Sequence, residues 1–386
     1  MRVGLVSTYP PKRCAIGLYT QNLARALVAD PDSSVFVCAE NTGEPEDLGL
    51  PRLQVRAAYR REDDYGDDVF RAITAERCEV AHFQYAPDLF GEDRRLPALV
   101  KRLRAAGVRP VVTLHTVYGA RRWRALALRP STRAFHRELA RAAHLVVHHR
   151  EAMATELERQ GISPGDISVI PHGTTRAELP PMSDARARLG IPEDAFLFTF
   201  FGFIHRLKNV HTAVEGFLRA ASKMPDARLL VSGMPWGDRW YNHLYVGAIK
   251  ARVSLAPAAP RVSIRDEYLA AERVPDVYAA SDVILLPHQQ SYGSASGVFH
   301  QAVGFGRPML SARGPKFAEA RALFRDLPDL MVPAGSARAW ARAMTRIYES
   351  PDLRRRALEA VESFAERTSW PVVGREHLAV YRRLVG

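Results

Sequence analysis

Short apolar runs alternate with helix-like segments along this chain, and the alternation stops once and begins again. Val3-Gly4-Leu5-Val6 and residues 35–38, 53–55, 80–83, 111–114, 145–147 and 168–170 read as strands. Helical spacing falls at about 18–28, 67–77, 94–106, 131–142 and 151–160. Apolar strands with no polar face, separated by helices, indicate a parallel sheet covered on both sides. Pro180-Pro181 interrupts the pattern. It resumes with strands at 196–201, 229–231, 262–264 and 283–286 and helices at 210–223 and 239–252. The expected fold is α/β: two tandem Rossmann-like, doubly wound parallel-sheet domains, 1–180 and 181–369, with a linker near 175–185. A length of 386 residues suits two cores. The last segment, after Ser369-Trp370-Pro371, is apolar at Val373, Leu378, Val380, Tyr381 and Leu384. It needs a surface, and 370–386 is expected to pack back on the first domain.

In such sheets ligands sit at the carboxyl ends of strands. The stretch 285–312, LLPHQQSYGSASGVFHQAVGFGRPMLSA, is the place to look. A strand breaks at Pro287, and a loop of small residues (Gly293, Ser294, Ala295, Ser296, Gly297) leads to a helix over 298–303. That arrangement gathers free N–H groups and the positive end of a helix dipole, which suits an anion, phosphate above all. The same residues also suit an ordinary strand-to-helix loop.

Charge says less. The net charge is +12, but only six of the 54 basic residues are lysine, and no nucleic-acid motif organises them. Nucleic acid is not an expected partner. From 119 to 150 eight arginines (121, 122, 124, 129, 133, 137, 141, 150) face one acid, Glu138, with Trp123, Leu126, Leu128 and Phe135 interleaved. This reads either as a solvated helix face or as a segment for peripheral association with an anionic membrane surface. Cys14, Cys38 and Cys78 are odd in number and lack metal-ligand spacing. The run after Arg2 is short and strand-like, and no stretch is apolar enough to span a bilayer. The expected location is the cytoplasm.

The segments TYPPKRCAIGLYTQNLARAL (8–27), HFQYAPDLFG (82–91), VVTLHTVYG (111–119), ISVIPHGT (167–174), FFGFIHRLKNVHTAVEGF (200–217) and YAASDVILLPH (278–288), followed by the 285–312 stretch, stand in a telling order. Together they resemble the retaining glycosyltransferases of the GT-B fold, family four (group 1). The resemblance covers roughly the whole chain and implies two Rossmann-like domains facing a central cleft. The second would bind a nucleotide-diphosphate sugar, a UDP- or GDP-sugar, and the first a hydroxyl acceptor. It implies Lys208, His115 and Arg206 as catalytic residues. Gly202, Ser294, Ala295, Ser296, Gly297, Val298 and Gln301 would hold the donor, and Tyr9, Ile16, Gly17 and Gln84 the acceptor. No cofactor or metal is expected, because the loop N–H groups and Lys208 would meet the phosphates. The acidic run Glu62-Asp63-Asp64 with Asp67 and Asp68 reads as a solvated helix start instead. His172 is expected at the domain junction, and Glu319 is either a donor contact or a surface residue.

The chain departs from the family pattern in three places. Gly293 and Gln301 stand where two glutamates eight residues apart are usual, Phe203 where an arginine is, and Ala15 where a glycine is. A non-catalytic sugar-nucleotide-binding relative and a nucleotide-sugar epimerase of the same fold therefore remain as alternatives.

Overall fold

The computed structural model describes every residue except Arg13, Asp93, residues 120–129, Asp238 and Ser291. The chain forms two units: Met1–Gly173 with Tyr292–Ala295 and Thr368–Gly386, and Thr174–Ser291 with Ser296–Arg367.

The first unit is built on seven parallel strands: β1 (Arg2–Ser7), β2 (Ser34–Glu40), β3 (Leu53–Tyr59), β4 (Val80–Tyr85), β5 (Arg109–Leu114), β7 (His144–Val147) and β8 (Ile167–Val169). Their order is β3-β2-β1-β4-β5-β7-β8. Alternate side chains supply two cores. Val3, Leu5, Val35 and Val37 face Tyr19, Leu23 and Leu27 of the helix Ala15–Val28, together with Trp370, Val373 and Tyr381 of the helix Trp370–Val385. Val6, Phe36 and Cys38 face Val69, Ile73, Leu96 and Val100 on the other side. The C-terminal helix thus completes the first unit, where its apolar stripe fills one face of the sheet. Helix Ala15–Val28 begins three residues before the expected start at Leu18, which puts Ile16 and Gly17 on its first turn.

The second unit has six parallel strands: β9 (Phe196–Phe201), β10 (Ala227–Ser232), β11 (Val262–Arg265), β12 (Val283–Leu286), β14 (Met309–Arg313) and β15 (Met331–Pro333). Their order is β11-β10-β9-β12-β14-β15. Phe198, Phe200, Leu229 and Val231 face Phe217, Trp340 and Met344, while Leu197 and Leu230 face Ala185, Leu189, Val277 and Ala280. The two sheets reverse direction at corresponding strands, β1/β4 and β9/β12, and both are α/β with parallel strands.

One placement corrects the expected division at 181–369. Gly293–Ser294 form β13, paired antiparallel with β6 (Thr116–Val117), and residues 292–295 belong to the first unit. Two backbone pairings, Gly293 with Val117 and Ser294 with Thr116, hold them there. Ser294 and Ala295 of the expected donor loop are therefore grouped with the first unit, and Ser296–Gln301 with the second.

Among the described residues no helix is long and apolar enough to cross a membrane. Arg121, Arg122, Trp123, Arg124, Leu126, Leu128 and Arg129 of the segment expected to meet a membrane surface lie outside the described residues.

Candidate functional site

In the second unit, the carboxyl ends of β9, β10, β12 and β14 gather most of the expected donor residues. β9 ends in Gly202 at φ +122 and β10 in Gly233 at φ +145, a region open to glycine. A Cβ on Gly233 would stand 2.1 Å from the Gly202 carbonyl oxygen, so the two turns touch through bare backbone. A Cβ on Gly202 would reach Val298 Cγ2 at 3.4 Å, which sets the end of β9 beside the first turn of the helix Gly297–Gly304. Ser296 caps that helix, its hydroxyl accepting from Phe299 N–H at 3.4 Å. Gly297 is exposed and Val298 half-buried, so the start of this helix is open to a ligand.

Lys208 closes the turn Arg206–Lys208 after β9. Asn209, in the left-handed region at φ +54, pins this turn. Its amide donates to Pro287 O at 3.2 Å and Ala334 O at 2.6 Å. Gln289 N–H also donates to Leu207 O at 2.8 Å. Lys208 is half-buried, and burial pushes its ammonium down to about 8. Arg206 is exposed, and Phe203, where the family pattern has an arginine, is 48% exposed.

Two further groups at these strand ends were not singled out from the sequence. Lys316, in the turn Pro315–Phe317 after β14, is pushed down to about 7, first by burial, then by the Lys208 charge, with Glu319 acting against both. His288, just after β12, is buried, and among the described residues neither ring nitrogen has a hydrogen-bond partner. Burial and then the charges of Lys208 and Lys316 hold it well below the usual histidine range. His205 is likewise lowered to about 4 by burial and the same two lysines. The signal for Lys316 was its rarity: in a chain that writes its cations as arginine, a lysine two residues past a strand glycine is an exception.

Gln301 is exposed on the same helix, and its Oε1 accepts from Tyr278 OH at 3.3 Å. Glu319, weighed above as a donor contact or a surface residue, is buried at 6% exposure, with His300 Nε2 at 3.3 Å from its carboxylate.

In the first unit the expected residues are brought together differently. His115 follows β5 directly and is buried; its Nε2–H donates to Gln84 Oε1 at 2.9 Å. Its Nδ1 faces His148 Nε2 at 3.0 Å, and His148 Nδ1 lies 3.3 Å from the Ile170 carbonyl oxygen. The Gln84 amide faces His82 at 3.3 Å, and His82 reaches Tyr381 OH at 2.6 Å and Thr113 Oγ1 at 2.7 Å. Burial lowers His115 to about 3, with His172 and His377 adding to it, so the ring is neutral. Both nitrogens are engaged inside the unit. His172 packs against Tyr19, His148 and Trp370, all in the first unit.

Tyr9 is buried, and burial pushes its hydroxyl up to about 12. Gly17 lies under it: a Cβ there would be 3.3 Å from Tyr9 N and Cα. Ile16 is half-buried on the first turn of the same helix. In β13, a Cβ on Gly293 would stand 2.3 Å from the Ala152 carbonyl oxygen. Of the acidic run, Asp67 is paired with Arg102, and Asp68 with Arg71 at 2.7 Å.

Known proteins agree with this architecture. Residues 16–177 match the family model for Glycosyltransferase Family 4, and residues 195–350 that for Glycosyl transferases group 1. D-inositol 3-phosphate glycosyltransferase of Kineococcus radiotolerans is 29% identical over 272 residues, 64% of this chain and 59% of that protein. The protein of the same name from Corynebacterium urealyticum is 27% identical over 227 residues, 58% of this chain and 50% of that protein. The matches thus span half to three fifths of these relatives. Sucrose-phosphate synthase of Thermosynechococcus elongatus shares the fold at TM-score 0.72 and 19% identity, over 100% of this chain and 99% of that one. HepE of Anabaena, solved in complex with UDP, shares it at TM-score 0.76 and 13% identity, over 99% and 100%. With both models matched in order and the GT-B fold in place, the chain belongs to the family-four, group 1 glycosyltransferases.

Proposed function

We propose that the chain transfers a hexosyl group from a nucleotide-diphosphate sugar, a UDP- or GDP-sugar, to a hydroxyl acceptor with retention at the anomeric carbon. The observation that carries this is Lys208, a half-buried ammonium in the turn after β9, the strand whose following Gly202 touches a second glycine turn and the open start of the helix Gly297–Gly304. Gly202 admits phosphate close to the backbone, and the N–H groups of Gly297 and Val298 meet it with the helix dipole behind them. As the glycosidic bond breaks, charge grows on the departing diphosphate, and a fixed ammonium stabilises that change.

The second unit, with Ser296 as helix cap and Gln301 beside the nucleotide, binds the donor. The acceptor side belongs to the first unit, where Tyr9, Ile16, Gly17 and Gln84 line strand ends and His115 positions Gln84. Glycine at 293 and an amide at 301 provide no carboxylate for a double displacement. The departing phosphate oxygen therefore takes the acceptor's proton on the same face of the sugar. Lysine and backbone donors supply the positive field, and turnover is expected to survive a chelator.

The test is to titrate the purified chain with UDP, GDP and ADP, then to follow sugar-nucleotide consumption with and without EDTA. Inositol 3-phosphate, named in the relatives, is one acceptor to include, beside glycans and lipid-linked saccharides. Consumption with retained configuration supports the reading. Loss of turnover on chelation, restored by magnesium, would overturn the metal-free step. Gly293 and Gln301 favour a second reading, a non-catalytic sugar-nucleotide-binding protein; tight diphosphate binding without turnover on any acceptor would support it. Association of 119–150 with an anionic membrane would show as co-sedimentation with phosphatidylglycerol vesicles and not with neutral ones.

A further inference from the structure

The second sheet places two of the chain's six lysines at the ends of strands that flank a common neighbour. β12 pairs with β9 on one side and β14 on the other. Lys208 stands in the turn after β9 and Lys316 in the turn after β14. The segment after β12 runs between them and touches both turns. Gln289 N–H donates to Leu207 O at 2.8 Å, and the His288 ring lies 5.0 Å from that of Phe317. The titratable groups facing Lys316 are Lys208 and His205 from the first turn, His288 from the middle segment, and Glu319 from its own side.

Two ammonium groups held in each other's field, in a partly desolvated place, repel unless an anion joins them. Glu319 offsets part of that repulsion at Lys316, but its carboxylate also serves His300. A diphosphate, with its charge spread over two phosphoryl groups, matches two separated cations better than any single carboxylate does. Phe203, where the family pattern has an arginine, is exposed, and so is Arg206.

We propose that Lys316 is the second cation of the donor site and contacts the diphosphate together with Lys208. This rests on the donor reading given above. It has a consequence that a lone Lys208 would not have. Lys316 is half-deprotonated near pH 7 in the free protein, and a bound diphosphate raises it again, so binding takes up a proton in mildly alkaline solution. Lys208, lowered to about 8, adds to the uptake as pH rises further.

The experiment is calorimetric titration of the full chain with UDP and GDP at pH 8, in two buffers of different ionisation enthalpy. The matching nucleosides are the phosphate-free control, and Lys208→Ala, Lys316→Met and Lys316→Arg are compared with the unaltered chain. Expected for Lys316→Met is a roughly 10- to 100-fold weaker diphosphate affinity with unchanged nucleoside affinity. Most of the proton uptake should go, and Lys316→Arg should restore binding in part. If Lys316→Met melts normally and keeps both affinity and uptake while Lys208→Ala weakens binding, this inference is wrong and the donor reading stands. If neither substitution matters, or no diphosphate binds, the donor reading fails first. Should Lys316→Met not fold, the unaltered chain still decides: binding with no net proton uptake at pH 8 overturns the proposal.

Discussion

The two units end their strands in opposite ways. In the first, His115 and His148 follow β5 and β7 directly, bonded to each other and, through His115, to Gln84 near the end of β4, all buried and with both rings held far below the usual histidine range. In the second, the ends of β9 and β14 carry lysines that are only half-buried and repel each other. A histidine can satisfy a buried network as donor at one nitrogen and acceptor at the other, without charge. A lysine has only donors and keeps its charge at neutral pH unless burial is severe. On the proposed reading, the second arrangement improves when an anion arrives, whereas the first gains nothing from one.

The largest effect expected from this contrast is acid lability of the first unit. Its histidines are lowered in the fold: His82 and His148 well below the usual range, His115 to about 3 and His377 to about 4, all chiefly by burial. The unfolded chain binds protons below the ordinary value near 6.5, while the fold does not. Stability is therefore full above about pH 6.5 and falls as pH drops toward 3–4, by up to ~1.4 kcal/mol per pH unit for each histidine. Hydrogen exchange followed by mass spectrometry should show the first unit opening before the second between pH 6 and 4. Equal protection of both would break the contrast.

Next is Lys208→Ala, expected to lower kcat by about 100- to 1000-fold, or ~3–4 kcal/mol in the transition state, while weakening diphosphate binding less. Lys208→Arg should rescue only partly, because a planar guanidinium does not occupy the same point. Unchanged kcat would move the donor site elsewhere. His115→Ala should do the reverse. It leaves Gln84 Oε1 and His148 Nε2 without their present partner and costs about 1–3 kcal/mol of stability, seen as a lower Tm, with diphosphate affinity unchanged within error. The smallest effect is Gln301→Ala: losing a neutral bond from Tyr278 at an exposed position should cost about 1 kcal/mol or less in nucleotide affinity. A much larger loss would mean that the amide carries the ribose contact.

The strands were legible because the buried ones have no polar face: the runs at 3–6, 80–83, 111–114, 196–201 and 283–286 lie inside β1, β4, β5, β9 and β12. The helix Gly297–Gly304 was legible from its small-residue approach and Ser296. Other elements were not. The helix Val274–Ala280 opens with a proline at its second position, whereas the helix expected at 151–160 is present and starts with a wide turn over Arg150–Ala154. β13 is two residues long, and its pairing is set by a partner far away in sequence. The roles of His115 and Lys316 depend on what lies across from them. Sequence placed His115 at a strand end but showed neither Gln84 nor His148 against it.

The Ala152 carbonyl beside Gly293 makes one loss hard to reverse. A side chain at 293 would have to leave the backbone through the space where that oxygen sits, 2.3 Å from its first carbon. Restoring the family's glutamate thus demands more than a codon change, since the turn Arg150–Ala154 would have to retreat first. Position 293 is thus tied to the turn Arg150–Ala154, and neither can change its backbone path alone.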